Sequence, residues 1–258
     1  HAVRPLLAIN CAEDRLQLAL GLHDGGRLQL WAFQEWTAPG RANPLLAPAV
    51  QQMLTAFGLA PRDLAGVACV VGPGSFTGVR MSLAFAEGLR LAAGVPLAGL
   101  AYPALLARTA RERLHDPLAP LCVLTHARKG LCHAQIFHAG GASDIEVLPT
   151  QRALMELPLT ATDTAPCLLC GSALRQDATA VQELLQQQPR CRLLPDRFDH
   201  PDGPGLLAAA VAADYAHAPL PPLYLRPSDA EANLEAIALA KGMDPASARR
   251  TLTELTNT

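Results

Sequence analysis

The segment Val70–Leu100 constrains the fold of this 258-residue chain more strongly than any other part of the sequence. The run Val67–Val71, which leads into it, is apolar without alternation and is therefore typical of a strand covered on both faces. Glycine and proline residues follow, and they predict a tight turn. The next residues predict a helix over Gly78–Ala93 and a second buried strand over Val95–Leu100. This order of elements indicates an α/β fold with a helix packed on a sheet.

The turn before the predicted helix has the chemistry of a candidate anion-binding site. Glycine at positions 72, 74 and 78 allows backbone conformations that residues with a Cβ follow poorly. We predict that Thr77 caps the N-terminus of the helix and that Gly94 ends it. Backbone N–H groups beside a helix N-terminus attract anions. The predicted anion-binding turn consists of Gly72, Gly74, Ser75 and Thr77.

Three known phosphate and nucleophile motifs do not match this turn. A P-loop requires lysine after its last glycine, whereas Val79 follows Gly78. A dinucleotide-binding loop would require its third glycine at the position of Thr77. A nucleophile elbow would require glycine two residues before Ser75, where the chain has Pro73. A turn of small residues that serves only packing is therefore an equal alternative.

Two rows of small residues lie on different faces of the predicted helix over Gly78–Ala93. Rows of this kind let a neighbouring helix approach closely. One row can serve the chain's own sheet while the other meets an external helix, and the alternative is that both rows are internal. The first row consists of Gly78, Ser82 and Ala86, with Phe85 and Leu89 beside it, and the second row consists of Ala84, Gly88 and Ala92.

The composition bounds the class of protein. Half of the residues are hydrophobic and 17% are charged, so the chain can form a substantial core. The net charge is −2 and no cluster of Lys and Arg stands out, which argues against strong direct binding of nucleic acid. The seven cysteines lie mostly in apolar runs, a pattern typical of reduced, buried thiols in a cytoplasmic protein. No apolar run is long enough to span a bilayer, so we expect no membrane association.

The periodicity of the chain predicts two similar halves, each with a βββαβα order of elements. In the first half, strands are predicted over 6–10, 15–21 and 27–33, and a helix with Asn43 as its N-cap ends before Gly58. In the second half, strands are predicted over 121–125, 131–137, 145–148, 168–169 and 191–194, and helices over 104–114 and 173–188.

These elements predict three regions. The first is an N-terminal lobe over residues 1–102, and the second is a C-terminal lobe over residues 103–203. Residues 204–258 follow, with a returning helix over Gly205–His217 and a helical tail beyond Arg226.

The string GPGSFTGVRMSLAFAEGL, followed by GVPLAGL, resembles the TsaB family, also called YeaZ. The match is dense over about thirty residues, and two weaker matches extend it: the opening strand LLAIN and the element Pro222-Leu223-Tyr224-Leu225-Arg226. The resemblance implies an α/β, two-lobed ASKHA fold, which is actin/Hsp70-like and RNase H-like. It also places the chain among the relatives of peptidase M22-like proteins.

The resemblance further implies a non-catalytic subunit of the bacterial machinery that makes N6-threonylcarbamoyladenosine at position 37 of tRNA. Such a subunit binds and activates the catalytic subunit TsaD, and a TsaE-like ATPase docks on the pair. It forms a homodimer when alone, contacts tRNA only indirectly, and needs no cofactor. The implied partner interface is the first row of the helix: Gly78, Ser82, Phe85, Ala86 and Leu89.

The chain departs from the enzymes of this superfamily at two places. ASKHA ATPases carry an aspartate at the end of the first strand, where this chain has Asn10-Cys11-Ala12. The catalytic paralogue holds a metal with a His-x-x-x-His pair, and Tyr102 and Leu106 stand at the corresponding positions. We therefore predict neither catalytic residues nor a metal. The alternatives are a divergent ASKHA ATPase, an M22-type glycoprotease-like enzyme, and a self-associating scaffold without a tRNA role.

Overall fold

The computed structural model describes residues 4–37, 39–40, 42–156, 166–176 and 178–225. The chain divides into a compact unit, His1–Leu223, and a second unit, Tyr224–Thr258. All elements described below lie in the first unit. The helical tail predicted beyond Arg226 lies outside the described residues. No helix in the described part of the chain has the length and apolarity needed to span a bilayer.

The first sheet contains five strands in the order β3-β2-β1-β4-β5. Strands β1, β2 and β3 form an antiparallel meander, β4 pairs in parallel with β1, and β5 pairs in parallel with β4. The glycines of the turn Asp24-Gly25-Gly26 both have positive φ, as the tight hairpin between β2 and β3 requires. The strands are β1 (Leu6–Asn10), β2 (Arg15–Asp24), β3 (Arg27–Thr37), β4 (Gly66–Gly72) and β5 (Leu97–Ala101).

The second sheet repeats this plan. Its order is β11-β10-β6-β7-β8, and β9 also pairs with β7. Strands β6 and β7 are antiparallel, and β10 pairs in parallel with both β6 and β11. In both sheets the first strand therefore lies between the second strand and a later parallel strand, which is β4 in the first sheet and β10 in the second, as a duplicated βββαβα unit predicts. The strands are β6 (Leu121–Arg128), β7 (Leu131–His138), β8 (Gly141–Ala142), β9 (Glu146–Pro149), β10 (Cys167–Cys170) and β11 (Cys191–Leu193).

Six α-helices surround the sheets in the described part of the chain. Helix α2 packs on β4, β1 and β5, while α6 packs on β1, β2, β3 and α3. Helix α3 also contacts β6 and β7 and so joins the two sheets. The helices are α1 (Ala42–Ala56), α2 (Phe76–Ala93), α3 (Tyr102–Leu114), α4 (Thr150–Glu156), α5 (Ala178–Gln187) and α6 (Gly203–Val211).

Two apolar cores stabilise the unit. The larger core lies around the first sheet and extends onto one face of β6 through Leu121 and Val123. The smaller core lies between the second sheet and helices α4 and α5. All seven cysteines are buried and free, which confirms the prediction of buried thiols. Burial raises the pKa of Cys11 to about 12, so this thiol is neutral and unreactive at physiological pH.

Several predicted boundaries differ from the observed ones, and three of the differences concern helices α1, α5 and α6. Helix α1 begins at Ala42, so Asn43 is its second residue rather than its N-cap. The predicted helix 173–188 is divided into a 3-10 turn, Ser172–Arg175, and helix α5. Helix α6 ends at Val211 because Ala216 pairs with Leu97 as an extended bridge.

Candidate functional site

The glycine-rich turn lies directly on the connection between β1 and β2. A Cβ added to Gly74 would be 2.1 Å from the carbonyl oxygen of Ala12, and one added to Gly78 would be 2.2 Å from that of Cys11. The backbone N–H of Ser75 also donates to the Ala12 carbonyl. Since real Cβ contacts are never this short, backbone approach requires glycine at positions 74 and 78.

Ser75, and not Thr77, caps the N-terminus of α2. Its Oγ accepts a 3.2 Å hydrogen bond from the backbone N–H of Gly78, and its carbonyl accepts one of 2.9 Å from Val79. Thr77 is the second residue of the helix, so the prediction of Thr77 as N-cap was wrong. The N–H groups of Ser75, Gly78 and Val79 therefore already have partners within the chain. An anion at the turn of Gly72, Gly74, Ser75 and Thr77 stays a prediction.

The first small-residue row of α2 faces the chain's own sheet. Ser82 and Ala86 are both 0% exposed. Ser82 Oγ donates to the Val79 carbonyl at 3.0 Å, and the Cys69 thiol on β4 contacts the Ser82 carbonyl at 3.6 Å. With Gly78 against Cys11, this row is part of the larger core, and its assignment to an external interface was wrong. Phe85 and Leu89, at the edge of the row, are half-buried against the same core.

The opposite face of α2 is exposed along its whole length. We call this face the outer stripe. The guanidinium of Arg80 lies 4.0 Å above the ring of Phe76, and Leu91 is 70% exposed. A Cβ added to Gly88 would meet no atom within 4 Å, so the chain's own packing does not require this glycine. The second small-residue row thus faces outwards, and the outer stripe consists of Phe76, Arg80, Ala84, Gly88 and Leu91.

Four polar side chains meet where the two sheets adjoin, and we call them the junction cluster: Glu13, Tyr102, Ser172 and His200. Glu13 Oε2 accepts a 2.9 Å hydrogen bond from the Tyr102 hydroxyl, and Glu13 Oε1 accepts one from Ser172 Oγ. Nδ1 of His200 lies 3.6 Å from Glu13 Oε2 and 3.5 Å from the Tyr102 hydroxyl. The β1–β2 connection, the start of α3 and the 3-10 turn after β10 each contribute one of the bonded groups.

Burial controls the protonation of this cluster. The Glu13 side chain is only 10% exposed, and its burial raises the pKa of the carboxyl to about 7, against the hydrogen bonds from Ser172 and Tyr102. Burial and the neighbouring Glu13 raise the pKa of the Tyr102 hydroxyl well above its usual value. Burial, followed by the positive charge of Arg15, lowers the pKa of His200. A neutral imidazole and a carboxyl that titrates near neutrality therefore lie side by side.

One of the two positions at which the resemblance would place metal ligands in the catalytic paralogue, Tyr102, belongs to the junction cluster. Tyr102 and Leu106, at the two positions in question, are both fully buried in the larger core. Leucine carries no ligand atom, and the hydroxyl of Tyr102 is bonded to Glu13. In the described ranges, no three His, Cys, Asp or Glu side chains are arranged so that they could hold a metal ion.

Asn10, at the position of the ATPase aspartate, belongs to a buried amide network. Its Oδ1 accepts a 3.0 Å hydrogen bond from the Ala12 N–H, and its Nδ2 donates to Gln17 Oε1 at 2.8 Å. Nε2 of Gln17 donates in turn to the Pro201 carbonyl at 2.7 Å and to Glu35 Oε2 at 2.5 Å. Asn10 thus fixes the β1–β2 connection and links it to the segment before α6.

Sequence reasoning did not find the junction cluster. Glu13 stands in a turn, and Ser172 is 159 residues away from it along the chain. The one available signal is a charged residue in a connection that follows a fully buried strand. That signal could direct attention to Glu13, but it could not identify its partners.

The two sheets with their shared strand order define the class of this protein, a two-lobed α/β fold of the ASKHA type. Two solved YeaZ-like structures from Pseudomonas aeruginosa have the same fold. "YeaZ from Pseudomonas aeruginosa" superposes with a TM-score of 0.65 at 24% identity, over 86% of this chain and 100% of that chain. A second structure, titled as similar to peptidase YEAZ, gives a TM-score of 0.67 at 23% identity with the same coverage.

Sequence comparison finds relatives of the same kind. Over 187 residues the chain is 25% identical to the tRNA threonylcarbamoyladenosine biosynthesis protein TsaB of Bacillus subtilis, covering 72% of this chain and 80% of that protein. It is 40% identical to TsaB of Escherichia coli over 95 residues, 37% of this chain and 39% of that protein. Residues 43–156 match the family model "TsaD: tRNA N6-adenosine threonylcarbamoyltransferase". The chain is therefore similar to TsaB proteins in sequence and to YeaZ structures in fold.

Proposed function

We propose that this chain is a non-catalytic subunit in the biosynthesis of N6-threonylcarbamoyladenosine in tRNA. It binds a TsaD-like catalytic subunit through the outer stripe of α2 and biases that subunit's conformation. A TsaE-like ATPase docks on the pair, and the chain pairs with itself when TsaD is absent. The names of the Bacillus and Escherichia relatives support the role in this biosynthesis, and the TsaD family match over residues 43–156 supports the choice of partner.

The outer stripe is the observation that carries this proposal. A glycine inside a helix costs about 1 kcal/mol relative to alanine, and at Gly88 no contact within the chain offsets that cost. Without a side chain at Gly88, and with only a methyl group at Ala84, the α2 backbone is accessible to a second helix. Phe76 and Leu91 flank this shallow region and supply exposed apolar surface of the kind that interfaces bury.

The junction supports a non-catalytic role. Asn10 is held in an amide network, so its oxygen is already bonded to the Ala12 N–H. Both oxygens of the Glu13 carboxyl are already bonded within the chain, to Tyr102 and to Ser172, so this carboxyl is not free to bind a hard cation.

The charge and the cysteines support the remaining parts of the proposal. Arg80 is the only charged residue of the outer stripe, and the chain's net charge is −2. A phosphate backbone is therefore contacted mainly by the partner. Seven buried, free thiols support a reducing compartment such as the cytoplasm.

The test is co-purification with TsaD of the same organism, followed by reconstituted modification of tRNA. Ala84→Arg places a long charged side chain in the centre of the outer stripe and should weaken pairing at least about 100-fold. Gln182→Arg, at an exposed position of α5, is the control and should pair like the unaltered chain. Intact pairing and modification with Ala84→Arg, at an unchanged melting temperature, would contradict an interface on this face.

A further inference from the structure

The connection between β1 and β2 has two neighbours at once. On one side, the Ala12 carbonyl accepts the N–H of Ser75, and the Cys11 carbonyl lies where a Cβ of Gly78 would be. On the other side, Glu13 bonds to Tyr102 and Ser172. Two consecutive residues, Ala12 and Glu13, therefore contact the start of α2 and the junction of the two sheets.

We propose that the Glu13 carboxyl is a latch that holds the two sheets together and, through the adjoining Cys11–Ala12 backbone, fixes the position of the N-terminus of α2. The mechanical part of this inference is independent of the proposed function. Its consequence for a partner rests on the proposed function, since α2 carries the outer stripe.

The bonds of Glu13 join the β1–β2 connection to the start of α3 and to the 3-10 turn after β10. Ser172 Oγ donates to Glu13 while it accepts a 2.9 Å hydrogen bond from the backbone N–H of His126 on β6. The second sheet thus reaches Glu13 through one hydroxyl that is itself fixed by β6. Tyr102, fully buried at the start of α3, fixes the other carboxyl oxygen. Both oxygens of one side chain are therefore committed to different elements.

The connection can transmit movement because its own backbone is rigid. Asn10 Oδ1 bonds to the Ala12 N–H, so Ala12 has side-chain support on its N–H and a backbone bond on its carbonyl. Cys11 and Ala12 are buried, with Gly74 and Gly78 packed directly on their carbonyl groups. A displacement of Glu13 cannot be absorbed in this stretch without disturbing the contacts of Ser75 and Gly78.

Hydrogen–deuterium exchange of the full chain, measured by mass spectrometry, tests the latch without any partner. Glu13→Ala should accelerate exchange of the amides of residues 75–79 about ten-fold, the change expected from losing strong hydrogen bonds that oppose local opening. Ser172→Ala and Tyr102→Phe should produce the same effect to a smaller extent. Glu156→Ala, which removes an exposed ion pair with Arg152 on α4, is the control and should leave these amides unchanged.

Unchanged exchange at residues 75–79 in Glu13→Ala and in Ser172→Ala would overturn the latch. If Glu13→Ala does not fold, the decision falls to Ser172→Ala and Tyr102→Phe, each of which removes only one hydroxyl. Pairing with TsaD separates the two proposals. Accelerated exchange together with full pairing of Ala84→Arg supports the latch and contradicts the proposed function, whereas unchanged exchange with lost pairing does the reverse.

Discussion

The hydroxyl of Tyr102 donates a 2.9 Å hydrogen bond to Glu13 Oε2 at the point where the two sheets of this protein adjoin. Tyr102 is fully buried at the first position of α3, directly after β5. In the catalytic paralogue, the resemblance places a metal ligand at this position. In this chain, Tyr102 at that position donates its hydroxyl to a hydrogen bond within the junction cluster.

Glu13 should make stability depend on pH near neutrality. The pKa of the Glu13 carboxyl is about 7 in the folded chain and 4.5 in the unfolded chain, so folding favours the protonated carboxyl. The contribution of Glu13 to the free energy of unfolding is fully present below about pH 4.5 and is lost as the pH rises through about 7. Its upper limit is roughly 3 kcal/mol. Urea unfolding at several pH values between 5 and 8 measures it, with Glu13→Gln expected to flatten the profile.

Other ionisable groups also face Glu13, and the comparison must isolate its part. These groups are Asp14, Arg15, Asp199, His200 and Tyr102. Because Glu13→Gln leaves all of them in place, the difference between the two profiles reports Glu13 alone. Parallel profiles for the unaltered chain and Glu13→Gln would show that this carboxyl does not titrate in the range.

Arginine at neighbouring positions of α2 should have opposite consequences for folding. Ser82 is 0% exposed, so Ser82→Arg buries an unpaired charge and should cost more than about 3 kcal/mol of stability. Ala84 is exposed, and Ala84→Arg should change stability by no more than about 0.5 kcal/mol. Thermal unfolding of the two variants side by side decides the orientation of the helix. Equal melting temperatures would mean that Ser82 does not face the core.

The glycines of α2 offer a second matched pair. Gly78→Ala would bring its Cβ to 2.2 Å from the Cys11 carbonyl and should destabilise the chain by about 1–3 kcal/mol. Gly88→Ala meets no atom within 4 Å and should stabilise the chain by about 0.5–1 kcal/mol. Under the proposed function, Gly88→Ala also weakens pairing with TsaD. Denaturant unfolding and a titration with TsaD measure both effects, and stabilisation by Gly78→Ala would contradict the close backbone approach.

The sequence predicted most of the fold because the signals that define it are local. β-branched and apolar runs, the Asp24-Gly25-Gly26 hairpin and the C-terminal Gly94 of α2 each depend on residues close together in the chain. Strand β1 was predicted with its observed ends, Leu6–Asn10. The dense string from Gly72 to Leu100 then gave the resemblance to TsaB proteins, which the comparisons support.

The orientation of α2 and the junction cluster could not be predicted in this way. Two rows of small residues lie on α2, and periodicity alone does not decide which of them faces the sheet. The close contact of Gly78 with Cys11 and of Ser82 with Cys69 decides it, and both contacts depend on how α2 packs on the sheet. The bond between Glu13 and Ser172 likewise depends on the packing of two sheets.

Asp199 should be among the most sensitive carboxylates of the second sheet region. It is 2% exposed and accepts hydrogen bonds from the Gly171 N–H at 2.7 Å and from Arg175 Nε at 2.6 Å. Asp199→Ala leaves both donors without this acceptor and should cost about 3–5 kcal/mol. Asp196→Ala, at an exposed position in the same segment, should cost much less. Thermal unfolding compares them, and similar losses would contradict the role of this ion pair.

Asn10→Asp restores the acidic residue that ASKHA ATPases carry, and we expect it to weaken the fold without creating an ATPase. The side chain is 1% exposed and faces Gln17 Oε1, so a carboxylate there would meet an acceptor instead of donating to it. A loss of about 1–3 kcal/mol follows from burying a charge beside an unsatisfied acceptor. Asn10→Ala, which removes the same bonds without adding charge, should be less destabilised than Asn10→Asp in urea unfolding at neutral pH.

Phosphate release from Mg²⁺-ATP should stay at background for all three chains, because the carboxyl of the adjoining Glu13 remains bonded to Tyr102 and Ser172. Turnover by the unaltered chain that disappears in Asn10→Ala would instead identify a working nucleotide site and contradict the non-catalytic role.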